Sequence, residues 1–218
     1  MAGSPGDELA PGTLGSIWNL EPEAVPHMTY EEFLAWADED TLAEWVAGEV
    51  VMTSPASADH QDLGGFLLAT LRVFVEHHGL GWVGGAPFQM KTGPDLPGRE
   101  PDILFVSTAH LDRLRPNHLA GPADLAIEIV SPESVGRDRG EKFYEYAQGG
   151  VPEYWVIEPQ SRWAEFYRLE GTHYRPAFSG AEGEYRSDAL PGFRLRVEGL
   201  WQRPLPKVVD ALRDLGVL

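Results

Sequence analysis

Two short apolar runs, each marked by an acidic residue, constrain the fold more than any other feature of this sequence. Asp102 directly precedes the run 103–106, and Glu128 lies inside the run 125–130. Runs of this length that are rich in Ile and Val are typical of buried strands. Because such strand patterns alternate with helical patterns along the chain, the sequence predicts an α/β fold with a mixed sheet flanked by helices.

Local signals place the helices and turns around these strands. Thr29 and Glu32 have the spacing of a capping box at the start of a short helix. Residues 44–52 are typical of a hairpin, and apolar positions three and four apart predict a long helix over 58–78. Asp138 is predicted to cap a further helix. Strands are also predicted over 154–157 and 163–169, whereas 174–193 is predicted to be rich in loops.

The chain is predicted to be a single folded domain with two tails. Residues 1–26 are rich in Gly, Pro, Ala and Glu and show no sustained apolar period. We therefore expect a flexible tail over 1–27 and the domain over 28–200. Residues 201–218 are predicted to form a helical carboxyl-terminal tail.

Composition limits the classes of protein to which this chain can belong. The 218 residues carry a formal net charge of −17, and the first 71 contain 13 acids without a Lys or Arg. This argues against a broad basic surface for nucleic acid, since phosphate neutralisation dominates such binding. The absence of Cys excludes disulfides, thiol nucleophiles and cysteine-bound zinc. No apolar run approaches the roughly 20 residues of a membrane span, and no basic region typical of a signal peptide is present, so we expect a cytoplasmic protein without a membrane anchor.

The two acids in the apolar runs are the first candidates for chemistry. An ionised carboxylate in such a run costs several kcal/mol, by rough reckoning, unless a cation or hydrogen-bond donors compensate it. If both runs are central strands, Asp102 and Glu128 meet at one end of the sheet and offer oxygen ligands to a divalent ion. The alternative is that Glu128 faces solvent and Asp102 belongs to a turn.

Further candidates lie on the neighbouring elements. Lys142 begins a helical pattern 14 residues after Glu128, where its ammonium can orient water or neutralise developing charge; the alternative is a solvated lysine. Glu44 opens the predicted hairpin and is a candidate metal ligand or water-positioning acid. His60, Arg137 and Arg139 suit contacts with phosphate, whereas a helix-start role for His60 and a solvated loop for the arginines are equally ordinary.

Seven blocks of the sequence, taken together, resemble a known family. They occur in order, and the match runs from about residue 28 to residue 170. The blocks are Met28-Thr-Tyr-Glu-Glu-Phe, Glu44-x-x-x-Gly-Glu-Val-Val-Met-x-Ser-Pro, His60-Gln61, Pro101-Asp102-Ile-Leu-Phe-Val, Glu128-Ile-Val-Ser-Pro, Arg139-Gly-Glu-Lys142-x-x-x-Tyr146 and Val151-Pro-Glu-Tyr-Trp-Val-Ile. The chain resembles the family of putative restriction endonucleases within the PD-(D/E)XK nuclease superfamily.

The resemblance implies a restriction-endonuclease-like α/β core with a metal-dependent phosphodiesterase site. Asp102 matches the Asp of the PD element, Glu128 the acid of the (D/E)XK element, and Glu44 an additional acid. Val130 stands two residues after Glu128, where the motif has Lys. The resemblance implies that in this family the lysine lies on the following helix instead, and Lys142 is the matching position.

The leading hypothesis is therefore an endodeoxyribonuclease that depends on Mg²⁺ or Mn²⁺. Asp102, Glu128 and Glu44 are the predicted metal ligands, and Lys142 is the fourth catalytic residue. DNA is the expected substrate. A homodimer is expected because the apolar pieces 82–83 and 163–169 resemble sheet edges and because two sites then face two strands. The alternatives are a catalytically silent binding or regulatory protein with the same fold, and a metal-dependent hydrolase of a small phosphorylated molecule. Sequence specificity and any targeting partner stay open.

Overall fold

The structure is a computed structural model of the 218-residue chain, and it describes residues 27–38, 41–52, 56–131 and 134–218. The predicted tail over 1–27 lies outside the described residues except for His27. None of the described helices is long and apolar enough to cross a membrane.

The described residues form four α-helices and thirteen strands. In order they are α1 (Tyr30–Trp36), β1 (Ala43–Val46), β2 (Glu49–Met52), α2 (Ala58–His78), β3 (Gly81–Gly85), β4 (Gln89–Lys91), β5 (Gly98–Arg99), β6 (Ile103–Ser107), β7 (His118–Ala120), β8 (Leu125–Ile129), α3 (Lys142–Gly149), β9 (Glu153–Glu158), β10 (Trp163–Glu170), β11 (His173–Gly180), β12 (Glu184–Arg186), β13 (Arg194–Arg196) and α4 (Val208–Asp214). Short 3-10 helices span Thr108–Arg113 and Val197–Trp201, and a π-helical turn, Arg137–Glu141, leads into α3.

The ends of the first two helices follow from local chemistry. At the start of α1, the Thr29 side chain accepts from the backbone of Glu32, and the Glu32 carboxylate accepts from the backbone of Thr29, which is the predicted capping box. Helix α2 begins after Ser57, whose side chain accepts from the backbone N–H of His60. It ends at Gly79, which adopts the left-handed conformation that favours glycine. Both predicted helices are confirmed.

The strands divide into three sheets, whereas the sequence analysis predicts one. A six-stranded sheet has the order β11-β10-β9-β8-β6-β3, a five-stranded sheet has the order β2-β1-β5-β4-β7, and β12 and β13 form a pair. Strand β6 is antiparallel to β3 and β8, whereas β8 and β9 are parallel. The mixed α/β fold is confirmed, and the predicted hairpin is β1 and β2.

Alternation along the central strands directs two sets of side chains to opposite faces of the six-stranded sheet. Leu125, Ile127 and Ile129 of β8 belong to the apolar cluster that includes Leu63 and Leu71 of α2. Ala126 and Val130 belong to the other cluster, together with side chains of α3. Glu128 has the same parity as Ala126 and Val130, so it projects towards α3.

Residues 174–193 contain strands, and the prediction of a loop-rich region there was wrong. Strand β11 pairs with β10 over most of its length, and β12 lies within the same region. Only Tyr174 of β11 is buried, and Pro176 is tolerated because β11 is an edge strand. A mostly exposed edge strand between glycines has the composition of a loop, which explains the error.

A buried acid, Glu153 at the start of β9, fastens the small sheet to the large one. Its Oε1 accepts from Trp155 Nε1 at 2.7 Å and from the Tyr185 hydroxyl at 2.9 Å. Its Oε2 accepts from the backbone N–H groups of Asp188 and Ala189, both at 2.9 Å. Glu153 is therefore a structural acid, because each carboxylate oxygen already accepts two hydrogen bonds.

We predict that Glu153→Gln lowers the free energy of unfolding by roughly 3 kcal/mol, measured by urea denaturation. The amide offers one acceptor oxygen in place of two, and each buried donor left without a partner costs about 1–3 kcal/mol. Glu170, at the exposed end of β10 with a side chain 70% exposed, is the matched control. Its Gln variant should change stability by less than about 0.5 kcal/mol, and an equal loss in both variants would contradict the role of Glu153.

Candidate functional site

The register of β6 and β8 brings the two predicted acids together. Ile103 pairs with Ile127 in this antiparallel ladder, so Asp102 and Glu128 are opposite one another just beyond the ladder. The backbone N–H of Ile129 donates to Oδ2 of Asp102 at 2.6 Å. Asp102 is thus tied to the strand that carries Glu128, as the sequence analysis expects of a shared site.

Glu128 is buried and binds two side chains from α3. Lys142 Nζ and the Tyr146 hydroxyl both donate to its Oε1 at 2.9 Å, and the residue is 2% exposed. Burial raises the pKa of Glu128 well above its ordinary value, and the ammonium of Lys142 opposes this only in part. The alternative of a solvent-facing Glu128 is excluded.

Lys142 lies at the centre of the acids. Its Nζ is 2.9 Å from Oε1 of Glu128, 2.9 Å from Oε1 of Glu44 and 3.5 Å from Oδ1 of Asp138. Burial alone would lower the pKa of Lys142, but these three carboxylates outweigh burial and raise it. The side chain is 3% exposed, so Lys142 is a buried ammonium and not a solvated lysine.

A π-helical turn places Asp138 in the site, and its predicted role as a helix cap was wrong. The turn covers Arg137–Glu141 and continues into α3, so Asp138 lies inside the helical segment. It is 2% exposed, and burial raises its pKa. Turns of this kind are rare and often occur at functional sites. Here the turn carries Asp138 four residues before Lys142, on the same face.

Glu44 reaches the site from β1 of the five-stranded sheet, and both of its oxygens have partners. Oε1 contacts Lys142 and accepts from the backbone N–H of Glu100 at 3.2 Å, while Oε2 accepts from Arg99 Nη1 at 2.9 Å. Burial would raise the pKa of Glu44, but Lys142 and Arg99 outweigh it and lower the pKa to about 2. Glu44 is therefore an anionic partner of two cations.

The three predicted phosphate-binding residues occupy different positions. His60, in the first turn of α2, has Nε2 3.3 Å from Oδ2 of Asp102, and this hydrogen bond raises the pKa of His60. Arg137 is half-buried, with Nε 3.9 Å from both Glu44 Oε2 and Asp138 Oδ1. Arg139 instead binds Glu158 at 2.9 Å and also Glu165. The structure thus brings His60 and Arg137 to the acids, whereas Arg139 pairs with β9 and β10.

Asp138 and Tyr146 were not predicted as members of the site, and the burial of Arg99 among carboxylates was not predicted either. Tyr146 is four residues after Lys142, and this helical spacing is a signal that both side chains share a face. Arg99 carries no such signal, because its carboxylate partners lie 42 to 55 residues away in the sequence.

The donor set suits a hard divalent ion held by few protein ligands. In the part of the chain that the structure describes, no three His, Asp or Glu side chains are arranged to hold a metal. Mg²⁺, however, usually binds one or two carboxylates together with substrate oxygens and water. Asp102 and Glu128 are two carboxylates on adjoining strands, and each accepts its hydrogen bonds on one oxygen, Oδ2 and Oε1 respectively. The residues present therefore fit such an ion.

Comparison with known families finds a match over most of the chain. The family described as Uma2, putative restriction endonuclease, matches residues 30–198. The chain belongs to the Uma2 family. The Uma2 match contains every candidate residue of the site and confirms the resemblance drawn from the sequence blocks.

A solved structure shows the same fold. It is the crystal structure of a putative nuclease belonging to DUF820 from Anabaena variabilis, with a TM-score of 0.66 and 16% sequence identity. The alignment covers 80% of this Uma2 chain and 97% of the Anabaena chain. No curated protein matches the chain significantly.

We predict that Lys142→Met lowers the free energy of unfolding at pH 7.5 by roughly 3–5 kcal/mol, because removing one partner of a buried ion pair leaves its carboxylates uncompensated. The loss should shrink as the pH falls towards 4.5, the ordinary pKa of Glu128. A carboxyl whose pKa is raised by folding favours the folded state more at lower pH.

Urea denaturation at pH 7.5 and pH 5.5 measures both effects. The matched control is Lys207→Met, since Lys207 is exposed and its loss leaves no buried acid behind. A Lys142→Met protein as stable as wild type at pH 7.5 would show that the buried ion pairs do not contribute as described.

Proposed function

We propose that this protein is a metal-dependent endonuclease that hydrolyses phosphodiester bonds of DNA, with Mg²⁺ or Mn²⁺ as its cofactor. The observation that carries the proposal is the contact between Lys142 and Glu128, 2.9 Å apart, beside Asp102 at the end of the same sheet. Two acids and a lysine in this arrangement are the chemical groups of metal-assisted hydrolysis, and membership of a nuclease family supports the assignment.

Each residue then has a defined task. Asp102 and Glu128 would hold the ion through their oxygens. A bound Mg²⁺ or Mn²⁺ supplies a Lewis acid that polarises the phosphate and lowers the pKa of water. Lys142 keeps its proton, since its pKa is raised, and it offers a fixed positive charge to the negative charge that develops on phosphate oxygens.

Glu44 and His60 complete the site on either side. Glu44 binds Lys142 and Arg99 in this structure, so its main contribution is to hold the ammonium; direct ligation of the ion remains a prediction. His60 Nε2 donates to Oδ2 of Asp102 and is positioned to fix that carboxylate. Arg137 is the half-exposed cation near the acids, which makes it the candidate for contact with a phosphate of the substrate.

The assignment of DNA as substrate rests on the family and on chemistry close to the site. The net charge of −17 disfavours long-range attraction of a polyanion, but such repulsion is screened beyond a Debye length of about 10 Å at ordinary salt. A divalent ion and a few local cations then provide the attraction. We expect weak binding of the duplex with few phosphate contacts.

We predict that Asp102→Asn abolishes Mn²⁺ binding in calorimetry and lowers the rate of plasmid cleavage by roughly a hundredfold or more. The amide keeps an oxygen that accepts from Ile129, so the fold should persist. Glu128→Ala is a poorer choice, because it removes a partner of the buried Lys142. Asp112, an exposed acid on a 3-10 helix, supplies the matched control Asp112→Asn.

The same measurements separate the alternatives. A wild-type protein that binds neither Mn²⁺ nor Mg²⁺ and cleaves nothing would be the catalytically silent member of this fold. Metal binding with hydrolysis of small phosphomonoesters and no cleavage of DNA would favour the small-molecule hydrolase. Mn²⁺ binding by Asp102→Asn at wild-type affinity would show that the ion lies elsewhere.

We further propose that the protein is a homodimer, with one site for each strand of a duplex. The expectation that strand 163–169 is an edge was wrong, because β10 lies between β9 and β11. Strand β3 is an edge of the six-stranded sheet and carries the half-buried Trp82, so it is the better candidate for the contact. Light scattering at micromolar concentration should give twice the chain mass of 24.1 kDa, and a monomer mass would exclude the dimer.

A further inference from the structure

Arg99 is a cation that no motif assigns, and it is buried where the five-stranded sheet meets the helical segment of Lys142. It lies on β5, a two-residue strand between β1 and β4. The side chain is 2% exposed, so its charge is removed from water and requires partners.

Three carboxylates accept four hydrogen bonds from the guanidinium. Nη1 donates to Glu44 Oε2 at 2.9 Å. Nε and Nη2 donate to the two oxygens of Glu145 at 2.7 and 2.8 Å, and Nη2 also donates to Glu141 at 2.9 Å. The planar fork of an arginine makes such divergent contacts in one fixed geometry, whereas an ammonium is a single point of charge.

All three carboxylate partners of Arg99 lie next to Lys142, either along the helical segment or by direct contact. Glu141 directly precedes Lys142 in the chain, and Glu145 follows it by three residues, so the two acids flank the lysine on its helical segment. The third partner, Glu44, contacts the ammonium itself at 2.9 Å. Arg99 therefore constrains both the helix that carries Lys142 and Glu44, which binds the Lys142 ammonium.

We propose that Arg99 is the positioning residue of this site and that it fixes the Lys142 ammonium against Glu128. Without the guanidinium, Glu141 and Glu145 no longer join their helix to β5, and Glu44 loses the partner that holds its Oε2. The effect on hydrolysis rests on the function proposed above, whereas the positioning of Lys142 does not.

A second arginine offers a matched comparison. Arg139 lies on the same helical segment and also binds two carboxylates, Glu158 and Glu165. It joins the segment to β9 and β10, away from Glu44 and Glu128. If any arginine that anchors the helical segment were enough to position Lys142, loss of either arginine would affect Lys142 equally.

The test uses the small number of lysines. The chain contains three, Lys91, Lys142 and Lys207, so protein labelled with ¹⁵N-lysine gives at most three ammonium signals. The signal absent from Lys142→Arg identifies the buried one. We expect Arg99→Gln to accelerate hydrogen exchange of the Lys142 ammonium at least about tenfold, because opening of the site exposes it to water. Arg139→Gln should leave this exchange within about twofold of wild type.

Kinetics supply a second readout. In DNA cleavage, Arg99→Gln should lower kcat about tenfold or more with little change in KM, since the displaced ammonium acts on the transition state and not on substrate binding. Absence of cleavage by the wild-type protein, with the exchange results as expected, would refute the proposed function and leave the positioning role intact.

Loss of a buried charge in Arg99→Gln can prevent folding, so a milder variant decides in that case. Glu145→Gln keeps an acceptor oxygen but removes a charged partner of Arg99, and it should accelerate exchange of the Lys142 ammonium about threefold or more. Unchanged exchange in Glu145→Gln and in any folded Arg99→Gln would overturn the proposal. Equal acceleration in Arg139→Gln would also overturn it, because it would reflect general loosening of the helix.

Discussion

A single buried ammonium, that of Lys142, joins the main parts of this molecule. It contacts Glu128 on the six-stranded sheet, Glu44 on the five-stranded sheet and Asp138 on its own helical segment. A buried charge is costly unless its partners are well placed. Correct packing of the two sheets and the helix is therefore the condition under which Lys142 can be buried at all.

The cations near the site are paired inside the molecule and do not give this acidic chain a basic surface. Arg99 and Lys142 are almost fully buried and donate to carboxylates, and Arg139 is paired with two more acids. These side chains hold the site together and contribute little to a basic outer surface. For the DNA substrate proposed above, attraction would then come from groups at the site itself.

Most elements with a local signal were predictable from the sequence, and those fixed by distant contacts were not. The capping box at Thr29 and the glycine stop at Gly79 define their helices within a few residues. The acids at 102 and 128 were found because each breaks the pattern of an apolar run. Strand β11 was missed since its pairing with β10 decides its structure, and the burial of Arg99 was missed because its carboxylate partners come together only in the folded chain.

The π-helical turn could not be predicted from the sequence for a related reason. A regular helix has 3.6 residues per turn, and patterns of that period fit residues 138–149 equally well with or without an added residue. Within the turn, Asp138 contacts Lys142, and Glu141 binds Arg99 of β5. The contact with Arg99 is tertiary, and it leaves no mark in the local sequence.

The position of Lys142 on a helix, and not on the strand that carries Glu128, has a consequence for the order in which the site's residues are synthesised. In a strand, a lysine two residues after Glu128 would project beside it as soon as the strand formed. Here Val130 fills that position in the apolar core, and the lysine arrives 14 residues later in the sequence. A growing chain that already has both acids still lacks the ammonium, which reaches them only when its helix packs against the two sheets. The order of synthesis thus supplies the lysine after all of the acids that it contacts.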